Sequence, residues 1–379
     1  MSTPPTATPG TMKCVQASAL GDISEVLTMT SDAPRPTRTA KDVKSGKTML
    51  VRIEACSLSR GDTVMLSGAC DKVMQPPSFP FVPGMDICGV VEEISETSDK
   101  FKVGDRIIAT NGYLPIGGLA EIACIELQFA AKAPENTTPG EACALSNSPV
   151  AALDALRAGN VKEGDRVLVI GGSGGVGSSL LQLVKDAKAG YLATTSTDEA
   201  LCLSLGADRV IDYRKTNWCE EEEYKEEPFD VVIDCVGWRD EWKDAYKHGV
   251  LKSASNGGTF VSIASTDDPQ FHTIWQGVKM FVPLLWRGAW TRINRRRPRF
   301  SLIISSVTDK SLTEIVDLVS AGRLKPVVDH RSPFPFTIEG VKAAFQLQAS
   351  KHAHGKVVIA VLDADPSAGG SAGVSAAAK

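Results

Sequence analysis

One glycine-rich turn constrains the fold of this chain more than any other segment. Residues 172–177 read GSGGVG, a GxGxxG motif that follows an apolar run at 166–170 and precedes an apolar-periodic helix predicted at 178–187. Glycine lets the backbone approach a pyrophosphate closely, and a helix N-terminus adds partial positive charge. Strand, glycine turn and helix in this order therefore predict a dinucleotide-binding loop. We expect a side chain at Gly174 or Gly175 to collide with the pyrophosphate.

Strands and helices alternate through the part of the chain that contains this loop. The sequence predicts strands at 166–170, 191–195, 209–211, 229–233, 257–263 and 302–306, and helices at 150–158, 178–187, 199–205 and 311–321. Such alternation is typical of a parallel sheet covered by helices on both faces. Residues 150–324 are therefore predicted to form an α/β nucleotide-binding domain.

The flanking segments have a different pattern. Residues 12–149 contain short apolar stretches separated by Gly, Pro and Asp, which indicates a compact antiparallel β domain. A helix at 338–350 and a closing strand at 356–361 indicate that residues 325–363 return to that domain. Two domains suit a chain of 379 residues. Residues 1–11 and 364–379 are predicted to be flexible or disordered tails.

Charge and cysteine content exclude several classes of function. The net charge of −4 provides no general attraction to nucleic acid. No apolar run approaches the roughly 20 residues of a membrane-spanning helix, and the first residues resemble neither a secretory signal nor a transit peptide. Nine cysteines are scattered singly, which predicts free thiols in a reducing compartment. We expect a cytoplasmic protein, with an organelle as the alternative.

The end of the second predicted strand bears on the choice of coenzyme. NAD sites usually place an acidic residue there to bind the ribose 2′-hydroxyl. This chain has Thr195, Ser196 and Thr197, whose hydroxyls can donate hydrogen bonds to a 2′-phosphate, so NADPH is favoured over NADH. Asp198 favours NADH if the strand runs further than predicted.

Many short segments match, in order, those of one known family: CSLSRGDTVMLSG, PGMDICGVVEEI, KVGDRIIA, GGLAEIA, VIGGSGGVGS, LGADRVIDY, FDVVIDCVG, GTFVSIAS, GRLKPVVD and GKVVIAV. Over about residues 12–361 the chain resembles the medium-chain dehydrogenases/reductases, in their zinc-independent quinone oxidoreductase (zeta-crystallin-like) branch. The resemblance implies a GroES-like β-rich substrate domain beside a Rossmann domain, with the active site in the cleft between them. It also implies hydride transfer from nicotinamide C4 to a quinone or an activated alkene. We expect a homodimer.

The resemblance also implies which residues bind the coenzyme. They are Ser173, Gly174, Gly175, Val176 and Gly177 at the pyrophosphate, Thr195, Ser196, Thr197 and Tyr213 around the adenosine, and Val236, Gly237, Ile263 and Ala264 beside the nicotinamide.

Zinc relatives keep ligands in two segments that differ here. Ser59 and Met85 stand near or at those positions, and the cysteine-rich lobe of the zinc relatives is absent. A catalytic zinc needs three protein ligands that bind through nitrogen, sulfur or oxygen. The five histidines form no HxxxH-type cluster that would replace them. The sequence therefore predicts a zinc-independent site.

The chain also departs from its resembled family where substrate would bind. Ser59 replaces an Asn that often faces substrate, Val64 and Met65 lie where some members have Tyr, and Asp154 aligns with a Thr. These changes leave no clear proton donor, so Ser59 and Arg60 are the candidate catalytic residues of the cleft. Alternatively, Arg60 pairs with a surface acid.

Residues 287–299 contain six arginines, with Trp286 just before them and Trp290 among them. Such a segment suits docking on an anionic membrane or on a partner protein. The alternative is a solvated connection at the edge of the nucleotide-binding domain.

The leading hypothesis is an enzyme that reduces a small molecule, either a quinone or another α,β-unsaturated carbonyl, with NADPH. A carbonyl or enoyl-thioester reductase is an alternative enzyme. A catalytically weak, NADPH-binding scaffold or assembly subunit is the alternative outside enzymes, and the departures at Ser59, Val64 and Asp154 and the arginine-rich segment favour it.

Overall fold

The computed structural model describes residues 10–38, 46–71, 75–76, 78–95, 98–112, 114–237, 240–263 and 272–362. The predicted tails lie almost wholly outside these residues, although Thr11 already begins the first strand. In the described part of the chain, no helix is both long enough and apolar enough to cross a membrane. None of the nine cysteines, all of which lie in the described residues, forms a disulfide bond.

The strands are β1 (Thr11–Ala17), β2 (Leu27–Pro34), β3 (Thr48–Leu58), β4 (Asp86–Glu93), β5 (Arg106–Thr110), β6 (Ile122–Glu126), β7 (Ala130–Lys132), β8 (Arg166–Ile170), β9 (Tyr191–Thr195), β10 (Arg209–Ile211), β11 (Val231–Asp234), β12 (Thr259–Ser262), β13 (Arg299–Leu302), β14 (Phe334–Pro335) and β15 (Val357–Ala360). The helices are α1 (Ile23–Val26), α2 (Arg60–Leu66), α3 (Pro139–Cys143), α4 (Asn147–Gly159), α5 (Gly175–Asp186), α6 (Glu199–Ser204), α7 (Glu222–Glu226), α8 (Glu241–His248), α9 (Ile274–Ile293), α10 (Asp309–Ser320) and α11 (Ile338–Ser350).

Six parallel strands form the nucleotide-binding sheet in the order β10-β9-β8-β11-β12-β13. The order reverses direction between β8 and β11, where open α/β sheets bind ligands beyond the carboxyl ends of their strands. The central strand β8 has the sequence RVLVI, and its apolar side chains are buried because helices cover both faces. This sheet confirms the predicted α/β fold class.

A second, mixed sheet has the order β14-β15-β3-β4-β5-β7, with β6 also pairing with β3. Strand β3 lies at its centre and pairs antiparallel with β4, β6 and β15. Because β15 comes from the end of the chain, the last segment does return to the first sheet. This arrangement confirms a β-rich domain beside the nucleotide-binding sheet, while the limits 12–149, 150–324 and 325–363 stay predictions.

Two predicted elements of the nucleotide-binding sheet are wrong in position. The strand predicted at 302–306 lies instead at Arg299–Leu302, as β13. Each of these four residues pairs with a residue of β12, and the last pair joins Leu302 to Ser262. The helix predicted from Ser178 begins at Gly175, inside the glycine motif. The connection predicted over 287–299 is also wrong in part, since its first seven residues form the last turns of α9.

The closing segment of the chain is fastened by a buried ion pair. Lys356 Nζ donates a hydrogen bond to Asp86 Oδ2 at 2.9 Å, and both side chains are almost fully buried. Asp86 begins β4, whereas Lys356 directly precedes β15. One residue earlier, the Gly355 N–H donates to the Ser173 carbonyl at 2.8 Å. These contacts hold the closing segment against the nucleotide loop.

We predict that Lys356→Met lowers the free energy of unfolding by about 3–5 kcal/mol, because it leaves the Asp86 carboxylate buried without its cation. The double variant Asp86→Asn/Lys356→Met should recover part of this loss. The control is Lys185→Met, which removes an exposed pair with Asp208 and should cost about 1 kcal/mol or less. Urea unfolding measures all three, and equal losses for the two single variants would contradict the prediction.

Candidate functional site

A cleft of about 620 Å³ lies between the two sheets. Its walls come from the nucleotide loop at 171–177, the first turns of α2, the ends of β8, β9 and β11, and residues 348–356, here called the return segment. Volumes of this size are typical of small-molecule and cofactor sites. The cleft therefore joins the predicted coenzyme residues to the predicted substrate residues.

The nucleotide loop is shaped by glycines that allow close backbone approach. A Cβ at Gly177 would lie 2.1 Å from the Gly171 carbonyl oxygen, so only glycine fits there. Gly171 itself has a φ of +86°, a conformation that L side chains rarely adopt. By contrast, a Cβ at Gly174 would meet only the Gly171 oxygen, at 3.5 Å. Gly174 thus borders open space in the cleft.

Helix α5 begins at Gly175, and Gly174 is its N-cap without a side chain to satisfy the first N–H groups. The first N–H groups of a helix have no intrahelical acceptor and attract anions. Ser173, Gly174, Gly175, Val176 and Gly177 all line the cleft. The loop therefore fits a pyrophosphate, as the sequence predicts.

The environment of Gly175 differs from the predicted one. A Cβ there would lie 3.1 Å from the Lys356 Cδ and 3.3 Å from the Ser148 Oγ. A side chain at Gly175 would therefore contact other protein atoms as well as a ligand. A substitution at Gly174 tests contact with a ligand alone, because a Cβ there has almost no protein neighbours.

The hydroxyls at the end of β9 are used partly for structure. Thr195 Oγ1 accepts a hydrogen bond from the Gly171 N–H at 3.0 Å, and Ser196 Oγ donates to Ser173 Oγ at 2.8 Å. Thr195 and Ser196 are buried, whereas Thr197 is half-buried. The hydroxyls of Thr195 and Ser196 are therefore already hydrogen-bonded to the nucleotide loop, which differs from the expectation that all three hydroxyls are available to a 2′-phosphate. Exposed Tyr213 lines the same end of the cleft.

Asp198 lies beyond the end of β9, as predicted, and caps α6 through a hydrogen bond from the Leu201 N–H. Its Oδ2 lies 2.6 Å from His354 Nδ1 of the return segment. Burial raises the pKa of Asp198, but the hydrogen bonds from His354 and Leu201 outweigh burial and keep it below its usual value. The carboxylate is thus covered from the side of the return segment.

The opposite end of the cleft lies at the end of β11. Asp234 Oδ1 accepts hydrogen bonds from the N–H groups of Val236 and Gly237, at 2.8 and 3.0 Å. The Val236 carbonyl accepts a hydrogen bond from Arg60 Nη1 at 3.3 Å. Val236 and Arg60 line the cleft, but Gly237 and Ile263 are not among the lining residues. Ala264 lies outside the described residues.

Ser59 also lines the cleft and is connected to a buried carboxyl group. Asp62 Oδ2 accepts hydrogen bonds from the Ser59 N–H at 2.8 Å and from its hydroxyl at 3.2 Å. Burial and the neighbouring Asp86 raise the pKa of Asp62 to about 7. Asp62 therefore exchanges a proton near neutral pH, directly behind a cleft-lining hydroxyl.

The positions that correspond to zinc ligands are occupied by other structure. Met85 is buried in the core of the β-rich domain, and Ser59 is engaged with Asp62. Within the described ranges, no group of three or more His, Cys, Asp or Glu residues is placed to hold a metal ion. Burial raises the pKa of the nearby thiol of Cys143 to about 12, which makes it a poor nucleophile.

Several residues of the cleft were missed by sequence reasoning. Ser148 of α4 lines it, whereas Asp154, on the same helix, does not. The return segment contributes Lys351, His352, His354 and Lys356. The only sequence signal for the return segment was its match to the family motif GKVVIAV. The hydrogen bond between Gly355 and Ser173 could not be predicted, because the two residues are far apart in sequence.

Two family profiles match the chain. The alcohol dehydrogenase GroES-like domain matches residues 45–135, and a profile described as zinc-binding dehydrogenase matches residues 205–359. The range that the second profile matches does not include Ser59 or Met85. Its description as zinc-binding therefore says nothing about zinc ligands at those two positions.

Relatives and solved structures agree with these profiles. The chain is 30% identical over 360 residues to a 2-methylene-furan-3-one reductase of Solanum lycopersicum, covering 93% of this chain and 79% of the relative. It is 30% identical to an NADPH-dependent alkenal/one oxidoreductase, chloroplastic, of Arabidopsis thaliana, covering 82% of this chain and 71% of the relative. The quinone oxidoreductase from Coxiella burnetii shares the fold, with a TM-score of 0.72 at 24% identity over 92% of this chain and 99% of that one.

We predict that Gly174→Ala raises the Kd for NADPH about tenfold or more and leaves thermal unfolding unchanged, because the added methyl enters the cleft rather than the protein core. The control is Gly177→Ala, whose methyl would overlap the Gly171 oxygen and should destabilise the fold. Fluorescence titration and thermal unfolding separate the two effects. Unchanged NADPH affinity in Gly174→Ala would remove the loop from the coenzyme site.

Proposed function

Because this chain belongs to the medium-chain dehydrogenase/reductase superfamily, in its quinone oxidoreductase-like branch, we propose that it reduces a quinone or another α,β-unsaturated carbonyl with NADPH. It is an NAD(P)H-dependent oxidoreductase that acts on a small molecule. The observation that carries the proposed reaction is that one cleft contains both the nucleotide loop and the polar side chains of Ser59 and Arg60. We also propose that no zinc takes part.

The chain's own groups would orient the reactants. The first N–H groups of α5 hold the pyrophosphate, and the aliphatic stem of Lys356, whose ammonium is paired with Asp86, packs beside Gly175. Arg60 fixes the Val236 carbonyl at the nicotinamide end through its hydrogen bond. When bound, the nicotinamide supplies the hydride, and the protein contributes binding, orientation and exclusion of water.

Ser59 is the proposed proton donor for enone reduction. A hydride that adds to the β-carbon of an enone leaves negative charge on its oxygen, which requires a proton. Ser59 can release its hydroxyl proton into the cleft when protonated Asp62 donates to the Ser59 Oγ behind it. Asp62 is buried, so it regains its proton through the Ser59 hydroxyl from water that enters the cleft. A quinone oxygen that water can reach needs no such relay.

Two features of the adenosine end support NADPH over NADH. Both oxygens of the Asp198 carboxylate already accept hydrogen bonds, Oδ2 from His354 and Oδ1 from the Leu201 N–H, and Asp198 does not line the cleft, so it is poorly placed to bind a ribose 2′-hydroxyl. Lys351 and His352 lie on the same wall of the cleft and add donors that a phosphate can use.

The location and assembly of the protein remain proposals. A homodimer in the cytoplasm is the simplest proposal, and the chloroplastic relative makes an organelle the alternative.

Turnover tests the reaction directly. We predict that the purified protein oxidises NADPH with quinones and enones, and that strong chelators leave the rate unchanged.

Ser59→Ala should lower the enone rate about 100-fold and change the quinone rate little, because only the enone needs the relay. Since Asp62 must be protonated to act, the wild-type enone rate should fall above about pH 7. NADPH binding without turnover of any substrate would favour a scaffold, and loss of activity on chelation would contradict zinc independence.

Coenzyme choice is tested at the covered carboxylate. We predict that His354→Ala lowers the ratio of NADPH to NADH affinity about tenfold, because it frees Asp198 Oδ2 to accept a hydrogen bond from the ribose 2′-hydroxyl of NADH. Asp198→Asn, added to His354→Ala, should restore the ratio. His248→Ala, which lies outside the cleft, is the control. A wild-type preference for NADH that Asp198→Asn abolishes would contradict the assignment of NADPH.

A further inference from the structure

Helix α9 presents an apolar stripe to solvent along its whole length. Its exposed large side chains are Trp275 (73%), Val278 (39%), Val282 (53%), Leu285 (61%), Trp286 (70%) and Ile293 (85%). They recur at spacings of three, four or seven residues, with one adjacent pair, which places them on one face of the helix. A surface helix of a globular protein normally turns this kind of face inward. The stripe is therefore a feature that the fold itself does not use.

The opposite face of α9 is fixed to the nucleotide-binding domain, so the helix cannot simply rotate to bury the stripe. Arg287 forms a bidentate ion pair with Asp240 at 2.7 Å and stacks on the Trp242 ring. Thr291 is fully buried, and its hydroxyl accepts a hydrogen bond from the Phe300 N–H of β13 at 3.1 Å. These contacts set the direction in which the stripe faces.

The charged residues of α9 and of the segment that follows it, residues 274–306, all carry positive charge. Between residues 274 and 306 the chain contains Lys279 and six arginines, at 287, 292, 295, 296, 297 and 299, but no Asp or Glu, although the whole chain has a net charge of −4. Three of these arginines are engaged: Arg287 with Asp240, Arg295 with the Ala254 carbonyl, and Arg297 over the rings of Tyr246 and Trp290. Arg292, Arg296 and Arg299 are exposed, and the described residues provide no ion pair for them. A strongly basic group therefore continues from the end of the stripe.

We propose that α9 docks this protein on an anionic lipid bilayer. The apolar stripe would enter the boundary between headgroups and acyl chains, with its tryptophans in the interface, while the arginines contact anionic headgroups. A second copy of this chain is a poorer occupant, because pairing the same face would bring together the cations of both copies, and residues 274–306 contain no acid to pair with them. An anionic membrane supplies both the apolar phase and the negative charge. The helix would lie on the membrane, since it is not apolar enough to span it.

Vesicle sedimentation with the full chain tests this proposal. We expect binding to phosphatidylcholine vesicles that contain phosphatidylserine, much weaker binding to phosphatidylcholine alone, and weakening of the former as salt is raised. Leu285→Ser/Trp286→Ser should reduce the bound fraction at least tenfold. Both side chains are exposed, so the fold should be retained, as circular dichroism can verify. Val103→Ser is the matched control, because Val103 is 62% exposed on the other domain, and it should bind as wild type does.

A second set of variants isolates the charge. Arg292→Gln/Arg296→Gln/Arg299→Gln should lose the preference for phosphatidylserine, whereas Lys188→Gln/Lys215→Gln/Lys310→Gln, which removes the same charge from other exposed sites, should keep it. Wild-type protein that does not bind vesicles containing phosphatidylserine would overturn the proposal. A lipid-free dimer that Leu285→Ser/Trp286→Ser converts to monomer would also overturn it, since a second copy would then cover the stripe.

Discussion

The contact between the return segment and the nucleotide loop is the constraint on which the rest of this structure depends. The Gly355 N–H donates to the Ser173 carbonyl, and Gly355 has a φ of +91° with the Val327 carbonyl only 2.5 Å from where a Cβ would lie. The next residue, Lys356, is buried against Asp86. A few adjacent residues thus bind the end of the chain to both sheets. The cleft exists because this segment closes one side of it.

The sequence was informative where burial is complete and local. Strands β8 and β9 have the bounds that the sequence predicts, and four of the five residues in each are buried, as expected for inner strands of a parallel sheet. The pattern was misleading where burial is one-sided. The run at 302–306 contains apolar residues, yet Ile304 is 64% exposed and the paired strand ends at Leu302. Helix α9 was missed for the same reason, since its apolar residues face solvent and Pro283 lies within it.

The candidate site divides in the same way. The glycine loop was predictable because its conformation is dictated by residues within one short segment. The roles of Asp62, Ser148 and His354 were not predictable, because each depends on a partner from a distant element: Asp62 on the neighbouring buried Asp86, Ser148 on the loop at Gly175, and His354 on Asp198. Ser59 replaces a family Asn, and its hydrogen bond to Asp62, on which the proposed proton relay rests, was not evident from the motifs alone.

The central claim is that this cleft brings a nicotinamide and an unsaturated carbonyl together for direct hydride transfer. Turnover of an enone with NADPH that carries deuterium on one face of C4 tests it most directly. The account predicts that mass spectrometry finds deuterium on the β-carbon of the product from one labelled face and none from the other, because the loop and the end of β11 fix the orientation of the ring. Product without deuterium from either labelled face would contradict direct transfer in this cleft.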